Sequence, residues 1–168
     1  MQKDENGRTY LYVDGAPFVA LAGELHNSSS SSLTYMDQKV WPALRLLHMN
    51  TVILPVAWET IQPEEGKFDF TLVDGLLASA RREGMRLILL WFGLWKNGIS
   101  TYVPAWVKKA SSGADARFFR VRDQFGKPLD CISPFCQEAV RADAAAFEQL
   151  MRHLAQADPQ HTVIAVQV

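Results

Sequence analysis

The sequence has few cysteines and no leader-like N-terminus. Cys131 and Cys136 are its two cysteines, and because neither has a further thiol or a histidine at a ligand spacing, they predict no metal site. We interpret them as reduced thiols of a cytoplasmic protein. The segment Met1–Gly7 contains no apolar stretch of the kind that directs secretion. We therefore expect a cytoplasmic protein without a metal or other cofactor.

Charge bias and long hydrophobic runs are also absent. The chain carries 17 Lys and Arg against 18 Asp and Glu, a net charge of −1, and has no basic run, so nucleic acid is not an expected partner. Its longest apolar stretches, such as Leu87–Leu90 and Val163–Val166, are far shorter than the roughly 20 residues of a membrane span. The hydrophobic fraction of 48% is typical of a folded globular domain.

Two catalytic signatures are missing as well. No predicted strand ends in a glycine-rich phosphate loop, which argues against a nucleotide-binding doubly wound domain. The serine tract Ser28–Ser32 lacks the pattern of a nucleophile elbow. Because its length is that of an ordinary loop between a strand and a helix, we interpret it as such a loop and not as a flexible linker.

Strand signals recur along the chain. The alternating segment Thr9–Val13 followed by Asp14-Gly15 predicts an N-terminal β-hairpin, which leads into a first core strand at Phe18–Ala22. Continuous apolar runs, typical of strands buried on both faces, predict three more strands at Thr51–Val56, Arg86–Trp91 and Thr162–Val168.

Helical periodicity separates these strands. The first predicted helix covers 36–47, where Pro42 should begin or kink it. The second begins after Thr71 as N-cap and ends at Gly84. The third follows Ser133-Pro134 and ends near Asp158, and the segment before it, to about Leu129, is predicted to be irregular.

Strict strand–helix alternation predicts an α/β fold with a parallel sheet. The spacing of about 33 residues between the first strands is that of one unit of a (β/α)₈ TIM barrel. Because four strands cannot close such a barrel, we expect residues 1–168 to be the incomplete N-terminal half of a TIM-barrel domain that begins with the β-hairpin. A self-contained four-stranded doubly wound domain is the alternative.

Polar and aromatic side chains follow the predicted strands. In a β/α barrel the carboxyl ends of the strands form the active-site face. Carboxylates and amides bind sugar hydroxyls, and indoles cover the C–H faces of sugar rings, so these positions predict a carbohydrate pocket. The alternative that Glu24 and Glu59 are ordinary surface acids remains open. The candidate substrate-binding residues are Glu24, His26, Asn27, Trp58, Glu59, Trp95, Lys96 and Asn97.

Segments 23–29, 50–59 and 87–97 resemble glycoside hydrolase family 35 β-galactosidases and the barrel of family 42. The resemblance implies a clan A barrel and a retaining β-galactosidase acting on terminal β-D-galactosyl residues. Its two catalytic glutamates, after the fourth and seventh barrel strands, would lie outside residues 1–168, so no catalytic residue is assigned here. Pro55 and Glu59 depart from the family, in which better-known members carry Tyr and Asn.

Two other functions stay open. The chain could be a non-catalytic carbohydrate-binding fragment, or part of a clan A glycosidase that acts on another β-glycoside. In each case the expected partner is a carbohydrate, with no membrane partner. The sequence makes no prediction about the oligomeric state.

Overall fold

A computed structural model gives the fold and describes residues 1–3, 5–97, 99–113 and 116–168. The helices, in chain order, are α1 (Leu33–Tyr35), α2 (Trp41–Leu46), α3 (Trp58–Ile61), α4 (Thr71–Arg82), α5 (Ala105–Lys109) and α6 (Gln137–Ala157). The strands are β1 (Gln2–Lys3), β2 (Thr9–Val13), β3 (Ala16–Phe18), β4 (Ala22–Glu24), β5 (Thr51–Ala57), β6 (Arg86–Phe92), β7 (Arg120–Arg122), β8 (Pro128–Ile132) and β9 (Val163–Gln167).

The N-terminal hairpin is confirmed. Strands β2 and β3 pair antiparallel, with Val13 opposite Ala16. Asp14 and Gly15 between them have φ angles of 51° and 78°. Two successive positive φ angles match the twist of a two-residue hairpin turn, and aspartate followed by glycine tolerates them well.

Strands β4, β5, β6 and β9 form one parallel sheet in that order. The predicted α/β architecture, with the parallel strands of a partial barrel, is confirmed. The predicted first core strand at Phe18–Ala22 is wrong, because Phe18 ends the antiparallel hairpin and the first parallel strand is the three-residue β4. The apolar character of 18–22 spans the connection between these two strands, so hydrophobicity alone did not separate them.

The two faces of the parallel sheet differ in burial. One face belongs to the core: Val52, Leu54, Leu87 and Leu89 are almost completely buried there, together with helix residues. On the other face Ile53 and Ile88, which pair in register, are only half-buried, and their neighbour Ala165 on β9 is exposed. In a β/α barrel the helices cover the outside of the sheet, so the second face corresponds to the barrel interior.

The first helical segment has a break at Pro42. A π-helical stretch, Met36–Val40, lies between α1 and α2, and the Trp41 N–H donates to the Met36 carbonyl, five residues earlier. Proline has no N–H to donate and its ring crowds the preceding turn, which explains a wider turn at this point. The prediction that Pro42 begins or kinks the helix is confirmed.

Helix α4 begins one residue earlier than predicted. Thr71 is its first residue and not its N-cap, and the Thr71 N–H donates instead to Asp69 Oδ1 at 2.9 Å. Val73, Leu76 and Leu77 form its buried stripe. Gly84 ends the turn after the helix with a φ of 66°, as predicted.

The segment between β6 and α6 has more structure than predicted. It contains helix α5 and an antiparallel hairpin formed by β7 and β8. These elements are too short for their sequences to show a clear hydrophobic periodicity, so the sequence did not predict them. Phe118 is completely buried beneath this hairpin, against Trp106 at a ring-centroid distance of 5.9 Å.

Helix α6 is the long amphipathic helix that the sequence predicts, although it begins at Gln137, after a turn at Ser133-Pro134. Ala139, Ala146, Leu150 and Leu154 are its buried residues. Within the described ranges, no helix has the length and apolar character needed to cross a bilayer.

Candidate functional site

The loops that follow the parallel strands carry the predicted site residues. Strand β4 ends at Glu24, β5 at Ala57 and β6 at Phe92, and because the strands are parallel, all three ends lie at one edge of the sheet. The edge is stepped, since Glu24 pairs with Ile53, four residues before the end of β5. The short β4 therefore leaves space beside the end of β5.

Glu24 lies on the barrel-interior face of the sheet. Its neighbour Gly23 faces the helices, where a Cβ would lie 2.8 Å from the side chain of Leu44. Successive strand residues point to opposite faces, so the Glu24 side chain points to the interior. It shares that face with Ile53, its partner in register, and is exposed. The role of Glu24 as a ligand-binding carboxylate stays a prediction.

The serine tract fills the space beside β5. Ser30 is buried, and its hydroxyl donates to the Pro55 carbonyl at 2.6 Å, a group that the short β4 leaves unpaired. The tract is thus an ordered loop, as predicted. Next to it lies a depression of about 760 Å³ lined by two predicted site residues and by four that sequence reasoning missed; the lining is His26, Asn27, Ser28, Ser29, Ser32 and Tyr35. Of the missed residues, Ser28 and Ser29 had one available signal, their position directly after Asn27.

Glu59 is at the first turn of α3, beside the segment that follows β6. Its N–H donates to the Tyr102 carbonyl at 2.9 Å, and its carboxylate lies 3.4 Å from Lys108 Nζ. Both side chains are 40% exposed, so this ion pair contributes at most about 1 kcal/mol to stability. The pair leaves a carboxylate and an ammonium accessible at the same edge of the sheet. Lys108 was not predicted from the sequence.

Trp58 requires a correction. Its side chain has no exposed surface, and it packs edge-on against Trp106 at a ring-centroid distance of 5.9 Å. The indole N–H donates to Gln62 Oε1 at 2.9 Å, also in a buried position. A side chain so enclosed cannot stack on a sugar, so Trp58 supports α3 and Glu59 from beneath.

The loop after β6 carries the last three predicted residues. Lys96 places its ammonium 4.3 Å from the ring centroid of Phe92, which is on the barrel-interior face and packs against Tyr102. Trp95 is 45% exposed. Asn97 is exposed, and its Oδ1 accepts hydrogen bonds from the N–H groups of Ile99 and Ser100. Its role as a ligand-binding amide stays a prediction.

A half-buried carboxylate from α6, that of Asp143, holds the beginning of this loop. Asp143 Oδ1 accepts from Trp91 Nε1 at 2.8 Å, and its Oδ2 accepts from the Leu94 N–H at 3.0 Å. Burial raises the pKa of Asp143 above its usual range, and the hydrogen bonds from Leu94 and Trp91 only partly oppose this. Sequence reasoning missed Asp143, which lies in the middle of an amphipathic helix.

Gly93 lies against this carboxylate, and we expect Gly93→Ala to lower the free energy of unfolding by about 1–3 kcal/mol because of overpacking. The added Cβ would be 2.2 Å from Asp143 Oδ1 and 2.4 Å from Trp91 Nε1, two atoms already fixed by their hydrogen bond. Urea unfolding measures the effect. Gly75→Ala is the matched control: its Cβ would meet the flexible side chain of Leu33, and the helix preference of alanine offsets that contact. Equal stability of the two variants would contradict the expectation.

The edge of the sheet thus offers acids, amides, hydroxyls, cations and an exposed indole. Within the described part of the chain, no group of three or more His, Cys, Asp or Glu side chains is arranged to hold a metal ion. Such a set of groups can bind a polyhydroxylated ligand through hydrogen bonds and ring stacking.

Comparison with protein families gives a match for the middle of the chain. Residues 36–114, just under half of the chain, match the model of glycoside hydrolase family 42, described as beta-galactosidase. The matched segment contains Glu59, Trp95 and Lys96, but ends before β7. A search of curated proteins found no significant match. The likeness to family 35 stays a prediction.

Comparison with solved structures gives matches among enzymes that act on carbohydrates. An exo-β-1,4-mannosidase from Opitutaceae bacterium strain TAV5 superposes on 96% of this chain with a TM-score of 0.56 and 21% identity. The catalytic domain of a β-amylase from Paenibacillus polymyxa covers 80% of it with a TM-score of 0.62 and 12% identity. A GH5_18 protein from Bifidobacterium longum subsp. infantis covers 88% with a TM-score of 0.51 and 18% identity.

This chain spans only 26%, 33% and 32% of those three proteins, in the same order. At these identities the likeness shows the fold. The chain therefore folds as one part of the (β/α)₈ TIM barrel found in glycoside hydrolases, and its residues 36–114 are similar to family 42.

Proposed function

We propose that the protein is a retaining glycoside hydrolase that removes terminal β-D-galactosyl residues from oligo- or polysaccharides. The observation that carries the proposal is the family 42 match over 36–114, which covers two of the three strand-end loops at the candidate site. The TIM-barrel fold supports it, because the active sites of such barrels are built from the loops at the carboxyl ends of the strands.

In this proposal the residues described above hold the sugar. Glu24 on the barrel-interior face accepts hydrogen bonds from sugar hydroxyls, and Lys96 donates to them. His26 and Asn27 bind hydroxyls from the adjacent depression. Bonds that tighten as the sugar ring distorts stabilise the transition state more than the bound substrate, which is what raises the rate.

The bond cleavage in this proposal uses two further glutamates from sequence outside residues 1–168, as the family resemblance implies. One carboxyl group protonates the leaving oxygen while the other attacks the anomeric carbon. A retaining enzyme holds the two about 5–5.5 Å apart. Water then releases the sugar from the covalent intermediate with its original anomeric configuration.

The test is a kinetic comparison on the full-length protein. We expect kcat/KM for 4-nitrophenyl β-D-galactoside to exceed that for the matching glucoside, mannoside and xyloside at least about tenfold, as for a site that loses a hydrogen bond to the wrong sugar. The first product observed by NMR should be β-galactose. Equal or higher activity on another β-glycoside would keep the enzyme class and change the substrate. An α-anomer as first product would refute retention.

A second prediction concerns residues 1–168 alone. We expect this segment to show no turnover of the same galactoside, because neither Glu24 nor Glu59 is assigned a catalytic role in the proposal. The assay compares the segment with its Glu59→Gln variant and with buffer. Turnover that the variant abolishes would contradict the proposal. Galactose binding by the full-length protein without any turnover would favour the non-catalytic carbohydrate-binding alternative.

A further inference from the structure

An aromatic groove lies beside the candidate site, between the loop after β6 and the hairpin of β7 and β8. We define it by the side chains of Trp95, Phe119 and Phe135, whose exposed fractions are 45%, 51% and 82%. It has a volume of about 810 Å³. The faces of these aromatic rings, gathered around one groove, offer a surface on which a flat ligand can stack.

The backbone beneath the groove is firmly held. The Ser133 N–H donates to the Phe119 carbonyl at 3.0 Å, and the Phe135 N–H donates to Ser133 Oγ at 3.2 Å. Phe118, next to Phe119, is completely buried and anchors the hairpin in the core. The two phenyl groups therefore extend from a structured segment, as is required of a preformed binding surface.

Polar groups border the same groove. Arg120 is oriented by hydrogen bonds to Ser111 and Asp130, and Arg122 by one to the Gly126 carbonyl at 2.7 Å. Aromatic faces combined with guanidinium donors suit a sugar chain, which offers flat C–H faces and hydroxyl oxygens. A purely apolar partner would gain nothing from the two arginines.

The groove shares Trp95 with the candidate site. Trp95 borders it and precedes Lys96, whose ammonium lies over Phe92 on the barrel-interior face. The family match ends at residue 114, so Phe119 and Phe135 belong to a part of the chain that the match does not cover. The groove thus extends the sugar-binding edge outward, onto an element that the match leaves unassigned.

We infer that the aromatic groove binds the leaving-group side of an oligosaccharide, beyond the first sugar after the cleaved bond. The inference rests on the proposed function and adds the substrate class to it: chains of several sugars, and not only disaccharides. Sugar units stack on Phe119 and Phe135, while Trp95 marks the junction with the site of cleavage.

The experiment uses the full-length protein with β-1,4-galactobiose and β-1,4-galactotetraose. Wild-type protein should have a higher kcat/KM for the tetraose than for the biose. Phe135→Ala should reduce this ratio about tenfold, the effect of losing one stacked ring. Phe125→Ala is the matched control, because Phe125 is 85% exposed on the same hairpin but does not line the groove. It should leave both the ratio and the individual constants within about twofold of wild type.

Other outcomes separate the two proposals. A wild-type ratio near one, or an unchanged ratio in Phe135→Ala, refutes the groove while the β-galactosidase proposal stands. If the protein turns over neither galactoside, tetraose binding by calorimetry decides: loss of binding in Phe135→Ala with binding retained in Phe125→Ala supports the groove. If Phe135→Ala instead lowers the melting temperature or dissociates an oligomer without changing tetraose binding, the groove is a packing surface and the inference is wrong.

Discussion

Replacing Trp58 by alanine is expected to lower the free energy of unfolding by about 3–5 kcal/mol, the usual cost of deleting a fully buried tryptophan. The indole has no exposed surface, packs against Trp106, and satisfies Gln62 Oε1 in a buried position. The variant loses the packing and leaves a polar atom without its partner, which adds to the cost. Urea unfolding of the full-length protein measures the change.

Trp58→Phe is the control, because it keeps most of the ring volume and removes mainly the hydrogen bond to Gln62. It should cost less than half as much as Trp58→Ala. The sequence-based prediction of Trp58 as a sugar-stacking residue requires a different result, namely normal stability with weakened carbohydrate binding. That result would contradict the core placement described here.

Asp158→Ala is expected to cost about 3 kcal/mol, the lower end of the range for breaking a buried ion pair, because Arg81 is partly exposed. The Asp158 carboxylate accepts hydrogen bonds from Arg81 Nη2 at 2.7 Å, from the Thr162 N–H at 3.0 Å and from the Val163 N–H at 2.8 Å. These bonds hold the turn that sets where β9 enters the parallel sheet. The control is Asp130→Ala, whose side chain is 95% exposed and should cost under about 1 kcal/mol.

The same pair predicts a pH dependence. Burial alone would raise the pKa of Asp158, but the hydrogen bonds from Val163, Arg81 and Thr162 outweigh it and lower the pKa below its usual range. The unfolded chain then binds the proton more readily than the folded one, so this contribution is fully present above the ordinary aspartate pKa of about 3.9. It is lost as the pH falls through the lowered folded-state pKa.

The difference in unfolding free energy between wild type and Asp158→Ala should therefore be constant near neutrality and shrink on acidification. Urea titrations at a series of pH values measure it, and the subtraction removes the contributions of other carboxylates. A difference that grows as the pH falls would show that Asp158 has a raised pKa, as Asp143 does.

Both predictions concern residues whose structural role was not predicted correctly from the sequence. Trp58 follows a strand and was predicted to line the pocket, but α3 begins at this residue and turns its side chain into the core. Local sequence does not encode which side of a one-turn helix meets the core. No sequence motif marks Asp143 or Asp158, because their partners lie elsewhere in the chain. The partner of Asp143 is on β6, and those of Asp158 are on α4 and in the turn before β9.

The structure also places the predicted site residues in separate groups along the edge of the sheet. His26 and Asn27 share a depression with the serine tract and Tyr35. Glu59 pairs with Lys108, while Trp95 borders the aromatic groove with residues about 25–40 positions later in the chain. Their placement at the edge followed from the parallel strands, but their partners did not.

By itself the sequence determined the alternation of strands and helices, the hairpin turn, and the loops that carry the site, because hydrophobic periodicity and turn residues act over a few neighbouring positions. Only the tertiary structure decided that β4 has three residues, that Trp58 is enclosed, that Asp143 holds the loop after β6, and that three aromatic side chains form one groove. Each of these depends on contacts between residues far apart in the chain, and such contacts leave no local pattern in the sequence.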